Sequence, residues 1–276
     1  MKINAVVVMY NPKDDTVKNI SYYNELVDKV YVIDNSDKEN NLKELLKTYP
    51  NTEYVSMGGN MGIGAALNRG VALALDDGAD YCLTMDQDSI FPTNKMDLIL
   101  KYLESNQINH EYGIIGLAFN STEVEEKLVE EPHLLTSGNF IDLSLYKTIK
   151  GYNKDLFIDY VDFELDEQFY NIGKKVAYIN NVSLIHELGS PLVKRFLWRK
   201  VVCNNHSPIR YYYRFRNNLY LYKKNKAFYK VKYKWDMHHD ILKVILFEPK
   251  KIAKLKMIKR GRKDARRGIL GPYKEK

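Results

Sequence analysis

The chain has 276 residues, 45% of them hydrophobic, enough for a real core in one large α/β domain with an appendage or in two small domains. Its two cysteines, Cys82 and Cys203, lie far apart without metal-ligand spacing and read as free thiols in a reducing compartment. No apolar run approaches the ~18–20 residues that span a bilayer, and Met1-Lys2-Ile3-Asn4 leads straight into a strand pattern with no signal-peptide organisation. The expectation is a cytoplasmic protein, soluble or peripherally bound at a membrane. The net charge of +7 is uneven: residues 223–276 hold 19 Lys/Arg and 5 Asp/Glu, a net of +14, which leaves −7 for residues 1–222. An acidic body with a strongly basic tail points to an anionic partner for the tail, membrane lipid or nucleic acid.

In chain order, Ile3 to Met9 (INAVVVM) is apolar and β-branched, the mark of a strand buried on both faces of a parallel sheet. It ends in the loop Tyr10-Asn11-Pro12. Asp14 to Lys29 has helical spacing at Ile20, Tyr23, Leu26, Val27 and Val30. A second strand, Val30 to Ile33, ends in Asp34-Asn35-Ser36, and a helix over Asn41 to Tyr49 carries Leu42, Leu45 and Leu46 on one face. Thr52 to Met57 is a third strand. Gly58-Gly59-Asn60-Met61-Gly62-Ile63-Gly64 then runs into a helix over Ala65 to Leu75. A fourth strand, Tyr81 to Met85, stops at Asp86 and Asp88. Strand–helix alternation of this kind predicts βαβ units with right-handed crossovers, a doubly wound nucleotide-binding half over the first ~100 residues.

If those strands are parallel, Asn11, Asp34, the glycine loop and the Asp86/Asp88 pair share one sheet edge, the crevice where open α/β sheets bind ligands. Two carboxylates held close repel, so the pair suggests a cation between them, and a hard divalent ion such as Mn2+ or Mg2+ suits carboxylate and diphosphate oxygens. Taken alone, an Asp-x-Asp triplet is also an ordinary polar turn. The glycine loop differs in place and spacing from a dinucleotide fingerprint, which argues against a dehydrogenase. Its glycines still permit close backbone approach at a helix N-terminus that favours an anion.

Further on, Asn94 to Leu103 reads as a helix, Tyr112 to Phe119 as a strand, Ser121 to Pro132 with its five Glu as a mobile surface loop, and Thr136 to Asp142 as a turn into a strand. If Tyr160 to Tyr170 is helical, Asp159 and Asp162 lie three apart on one face at its start, where carboxylates either cap the helix or serve as a general base. Lys175 to Ile185 is a strand ending at His186, followed by Gly189.

The ordered series Tyr10-Asn11, Asp34-Asn35-Ser36, Asn60-x-Gly62-x-Gly64 with Asn68, Asp86-x-Asp88, Ser137-Gly138, Asp159-x-x-Asp162, His186-x-x-Gly189 and Arg210-Tyr211-Tyr212-Tyr213-x-x-Arg216-Asn217 resembles glycosyltransferase family 2, in its bacterial rhamnosyltransferase-like branch. The resemblance covers roughly residues 3–220. It implies the GT-A fold: a doubly wound, mainly parallel α/β sheet with flanking helices, here over residues 1–222, with residues 223–276 as a basic helical extension. It also implies an inverting, metal-dependent hexosyltransferase that takes a nucleotide-sugar donor, dTDP-L-rhamnose or a UDP-hexose, and a saccharide or lipid-linked saccharide acceptor in surface polysaccharide synthesis.

By that resemblance Tyr10, Asn11 and Asp34 border the nucleobase and ribose, and Asn60, Gly62, Gly64 and Asn68 shape the nucleotide pocket. Asp86 faces the ribose or sugar, Asp88 and His186 hold Mn2+ or Mg2+, and Ser137 and Gly138 lie near the sugar or acceptor. Many relatives carry Glu-Asp-x-Asp at the helix start, whereas Tyr160 stands here in the usual Asp position. The base is then Asp159 or Asp162, with Asp159 favoured because it precedes the helix. A nucleotidyltransferase would want a basic Gly-rich loop after the first strand, which Tyr10-Asn11-Pro12 does not supply, and a non-catalytic nucleotide-sugar-binding protein would not need Asp159 or Asp162.

In and just before Tyr211 to Tyr222, Arg210, Arg214 and Arg216 suit a phosphate on the acceptor side, and tyrosine-rich packing is the alternative. Ile252, Leu255, Met257 and Ile258 interspersed through Lys250 to Arg267 resemble an interfacial amphipathic helix on an anionic membrane, at its inner face, more than a nucleic-acid arm. No nucleic-acid module is present. A solvated basic terminus or a homodimer contact is the bland alternative.

Overall fold

The continuous apolar run at the N-terminus forms β1 (Ile3–Met9), buried along its whole length, in a computed structural model that describes residues 1–186, 192–196 and 198–275. Of residues 14, 15, 186, 196, 199, 232 and 234–237 only the backbone is described. The elements that follow are α1 (Asp14–Val17), β2 (Lys29–Asp34), α2 (Leu42–Leu45), β3 (Thr52–Ser56), α3 (Ile63–Asp76), β4 (Tyr81–Asp86), β5 (Ser89–Ile90), α4 (Met96–Asn109), β6 (Tyr112–Phe119), β7 (Leu128–Glu130), β8 (Asn139–Asp142), α5 (Leu143–Tyr146), α6 (Val161–Asn171), β9 (Lys175–His186), β10 (Leu192–Phe196), β11 (Arg199–Cys203), α7 (Pro208–Lys224), α8 (Lys226–Leu246) and α9 (Lys251–Arg266).

The chain forms two compact units, residues 1–154 with 161–187, and residues 155–160 with 188–276. The first is built on a mixed sheet in the order β3-β2-β1-β4-β8-β6-β9-β5, with β7 added on β9. The four N-terminal strands are parallel, with Met9 level with Asp34, Asp34 with Ser56, and Val8 with Asp86. The strand order reverses between β1 and β4, the switch point at which such sheets bind ligands. Helix α3 lies close over β1 because Gly70 carries no side chain: a Cβ there would run into the Val6 methyls.

Two details depart from the sequence reading. The stretch read as a helix over Asp14 to Lys29 is α1 followed by 3-10 turns at Lys18–Tyr22 and Asn24–Leu26. Ser21 Oγ bonds to the Lys18 carbonyl and competes with the helix ladder, while the Asn19 and Asn24 amides bond away from the stretch, to the Gln87 carbonyl and to Asn51. Inside the acidic stretch Ser121 to Pro132 lies β7, antiparallel to β9, where Lys175 draws in Glu130 at 2.7 Å. Thr136 to Asp142 is, as read from the sequence, a turn into a strand, and that strand, β8, lies antiparallel between β4 and β6.

The second unit holds the β10–β11 hairpin and helices α7, α8 and α9, which share an apolar centre of Tyr211, Phe215, Val244 and Ile258. Inside it Lys254 Nζ and a Glu248 carboxylate oxygen meet at 2.8 Å with both side chains almost fully buried, and the Tyr211 hydroxyl donates to the same carboxylate. Position 222, the division expected from the sequence, falls within α7. Among the described residues no helix is long and apolar enough to cross a membrane.

Candidate active site

At the C-terminal edge of β1 and β2 the strand ends are cross-linked. Asn35 N–H donates to the Met9 carbonyl, Asn11 N–H to Ser36 Oγ, and the Tyr10 hydroxyl and Asn11 amide both reach Asp37. Tyr10 N–H is capped by the Gln87 side chain from the β4 end. The Asn11 Oδ1 is buried and has no hydrogen-bond partner among the described residues, an acceptor left over at this edge. Asp34 is buried beneath it. Burial pushes its carboxyl up, but hydrogen bonds from Ser36, Tyr54 and Asn40 outweigh that and hold it below the ordinary carboxylate value. Asp34 is therefore an anchored carboxylate at the β2 end. Asp37, Tyr54 and Gln87 were not singled out in the sequence. The alternation along β3, which puts Tyr54 two residues from Ser56 at the strand's end, is the only signal that could have found Tyr54.

The glycine loop divides into two roles. Asn60 Oδ1 accepts from Gly62 N–H and from the Asn35 side-chain amide, and Asn35 Oδ1 accepts the Met61 N–H, so the loop is fastened to the β2 end. Gly62 adopts φ +85° directly before α3, where no side chain caps the helix. Gly64 and Asn68, expected in the nucleotide pocket, are occupied internally. A Cβ on Gly64 would crowd Val161 and the Asn153 and Lys154 backbone, so this glycine lets α3 and α6 start close together. Asn68 spends its amide on the Tyr152 carbonyl and its oxygen on the Tyr146 hydroxyl and Tyr152 N–H.

At the β4 end, Asp86 is half-buried and Asp88 exposed. Ser137 Oγ accepts from Asp86 N–H and donates to Ser89 Oγ at 2.8 Å, and Gly138 N–H caps the Thr84 carbonyl. Ser137 is fully buried and Gly138, at φ +77°, abuts Leu184. Both thus hold the Asp86–Ser89 turn from behind. Strand β5 begins at Ser89, which pairs antiparallel with His186, so the backbone sets residue 186 opposite the neighbour of Asp88. Carboxylates and imidazoles are the donor types that a divalent ion takes. Among the described residues no three His, Cys, Asp or Glu side chains gather as a complete metal set. The His186 side chain and Gly189 lie outside the described residues.

Asp162, the second residue of α6, is half-buried, and one of its oxygens accepts the Phe163 N–H. Behind it Asp166, nearly fully buried, accepts the Leu134 N–H. Burial, reinforced by the charge of Asp162, raises the Asp166 carboxyl well above its ordinary value.

In the second unit Asp159 sits at φ +63° with its carboxylate ion-paired to Arg210 at 3.3 Å. Arg214 pairs with Asp240 at 2.8 Å. Arg216 was expected to meet a phosphate. It is instead fully buried and donates to the Asp155, Leu156 and Gly271 carbonyls and to Asn217. Its guanidinium holds the chain's own backbone and has no face left for an acceptor.

A family model described as glycosyl transferase family 2 matches residues 5–159, more than half of the chain. The chain belongs to glycosyltransferase family 2. This transferase is 28% identical over 249 residues to the dTDP-rhamnosyl transferase RfbF of Shigella flexneri, covering 81% of this chain and 80% of that one. Its fold is similar to that of TarS of S. aureus, solved over residues 1–349 with UDP-GlcNAc (TM-score 0.57, 11% identity, 97% of this chain and 92% of that one). It is also similar to GalNAc-T7 with UDP, GalNAc and Mn2+ (TM-score 0.60, 12% identity, 96% of this chain). The transferase spans 54% of that GalNAc-T7 chain and 44% of the longer TarS chain. Likenesses at this identity establish the fold, which is the GT-A type expected from the sequence.

Proposed function

We propose that the transferase is inverting and metal-dependent and moves L-rhamnose from dTDP-rhamnose onto a saccharide acceptor, lipid-linked, in bacterial surface polysaccharide synthesis. The observation that carries the donor is the similarity to a dTDP-rhamnosyl transferase over four-fifths of both chains. Consistent with it, the unpartnered Asn11 Oδ1 suits a pyrimidine N3–H, and the anchored Asp34 carboxylate suits a ribose hydroxyl. Asn60 and Gly62 shape the backbone at the start of α3, where N–H groups favour a diphosphate. Asp86 takes the ribose or sugar, and Asp88 with His186 would hold Mn2+ or Mg2+. Bound there, the ion would offset charge developing on the leaving diphosphate.

The base is Asp159, with Asp162 as its rival. It takes the acceptor hydroxyl's proton as that oxygen attacks the anomeric carbon opposite the leaving group, so the configuration inverts. Asp162 spends one oxygen on the Phe163 N–H and Asp159 faces Arg210 with both, so neither carboxylate is unengaged, and the choice rests on Asp159 preceding the helix. Arg210 is the ion-pair partner that orients Asp159. Ser137 and Gly138 act behind the Asp86–Ser89 turn, Gly64 and Asn68 in packing. A panel of dTDP-rhamnose, UDP-glucose, UDP-galactose and GDP-mannose, assayed for nucleoside diphosphate release, tests the donor. Turnover of dTDP-rhamnose alone is the expected result. Turnover of a UDP-sugar instead would establish the second reading, a UDP-hexose transferase, for which the UDP-bound fold relatives speak.

The basic extension, residues 223–276, is proposed to rest on the inner face of the plasma membrane. At the α8–α9 corner Leu242, Ile245, Leu246 and Ile252 are exposed beside Lys250 and Lys251. An apolar tip with a basic rim fits an anionic bilayer surface, at about 1 kcal/mol per basic residue near the headgroups. The full chain is expected to sediment with phosphatidylglycerol vesicles and not with phosphatidylcholine ones, and L242E/I252E is expected to stay in the supernatant. Equal sedimentation of both proteins would sink the assignment.

A further inference from the structure

The segment 155–160 has a backbone that its own residues resist. Phe157, Asp159 and Tyr160 adopt φ values of +67°, +63° and +70°, and none is a glycine. Such a conformation is unfavourable for a residue with a side chain and persists only where its surroundings impose it. Here the imposing element is α7. Asn217 Nδ2 donates to the Leu156, Ile158 and Asp159 carbonyls at 2.8–2.9 Å, three acceptors for two hydrogens. The buried Arg216 donates to the Asp155 and Leu156 carbonyls and, through its Nε, to the Asn217 oxygen, which fixes the Asn217 amide in one orientation. Asn218 donates to the Tyr160 hydroxyl, and the Phe157 ring stacks on Tyr213 at 4.9 Å. From the other end of the unit Gly271 N–H donates to the Asp155 carbonyl at 2.7 Å while its own carbonyl accepts from Arg216. A loop with only packing to satisfy would relax to ordinary φ values. This one is held out of them by side chains spent on its carbonyls.

We propose that Arg216 and Asn217, braced by Gly271, are positioning residues: they hold the strained loop 155–160 in the conformation that sets the backbone of Asp159 for proton abstraction. This deepens the reading of Asp159 as the base and rests on it. It also gives the end of the basic extension a role in turnover separate from any lipid contact.

The test uses the full chain as N217A and R216K, with D159N in parallel, and reads kcat, donor KM and melting temperature. N217A is expected to lower kcat at least tenfold while donor KM stays within about twofold and a single cooperative melting transition is kept. R216K, which keeps the charge but replaces the planar fork with a compact ammonium, is expected to retain more of kcat than N217A. Unchanged kcat in N217A would overturn the proposal. So would a loss in kcat matched by an equal change in donor KM in both variants, the mark of general structural damage. If N217A fails to fold, R216K decides by the same split between kcat and KM. A fall in kcat in N217A with full activity in D159N would keep the clasp as a device that sets the loop and would remove Asp159 as the base, so the two ideas fail separately.

Discussion

Replacing Asp88 with alanine is expected to abolish sugar transfer, with a fall in kcat of about 10²–10³-fold or more, the scale set by losing preorganised stabilisation of a developing anion. The protein should remain folded, because Asp88 is exposed and contributes nothing to the apolar centre of the sheet. The informative control is D86N. Asp86 precedes Asp88 by two residues, but its backbone N–H is fixed by Ser137 and its side chain is half-buried. Its loss should raise the donor KM and leave a measurable kcat. Activity of the Asp88→Ala protein rising with Mn2+ to near the wild-type rate would remove Asp88 from the metal set.

The second large effect separates the two candidate bases. Asp159→Asn preserves shape and removes proton-accepting power, so kcat should fall by about 10²–10⁴-fold, the usual contribution of a positioned general base. Asp162→Asn should cost much less, because an amide oxygen can still cap Phe163 N–H. It would also relieve the charge that, after burial, helps raise Asp166, so the Asp166 carboxyl should titrate lower in this variant. The reverse pattern, with Asp162→Asn dead and Asp159→Asn active, assigns the base to Asp162.

The parts of the fold legible in the sequence were those written in long-period patterns. Strands β1, β2 and β4 are short, largely apolar runs that stop at polar residues, β3 (TEYVS) shows only its β-branched and aromatic residues, and α3 follows a glycine loop, so the sequence alone puts the four strand ends on one edge. The antiparallel additions were less legible. Strands β5 and β7 have two and three residues, too few for a period, and they exist only because β9 offers them partners. The site was legible in its carboxylates and less so in its supports. Gly64 and Asn68 sit in a motif that reads as nucleotide contact, yet their space and hydrogen bonds are taken up by the loop 146–154. Arg216 beside tyrosines reads as an anion ligand. Its true partners are backbone carbonyls of a loop whose left-handed conformation no glycine announces, and strain of that kind leaves no trace in composition or spacing.

The measurement that tests the central claim most directly is calorimetric titration of the purified full chain with dTDP-rhamnose, with and without Mn2+. Saturable binding at one site per chain that needs the ion, and that D88A loses, is the expected result. No binding of dTDP-rhamnose in either condition by a protein that melts cooperatively would contradict a metal-dependent rhamnosyl donor site at this sheet edge.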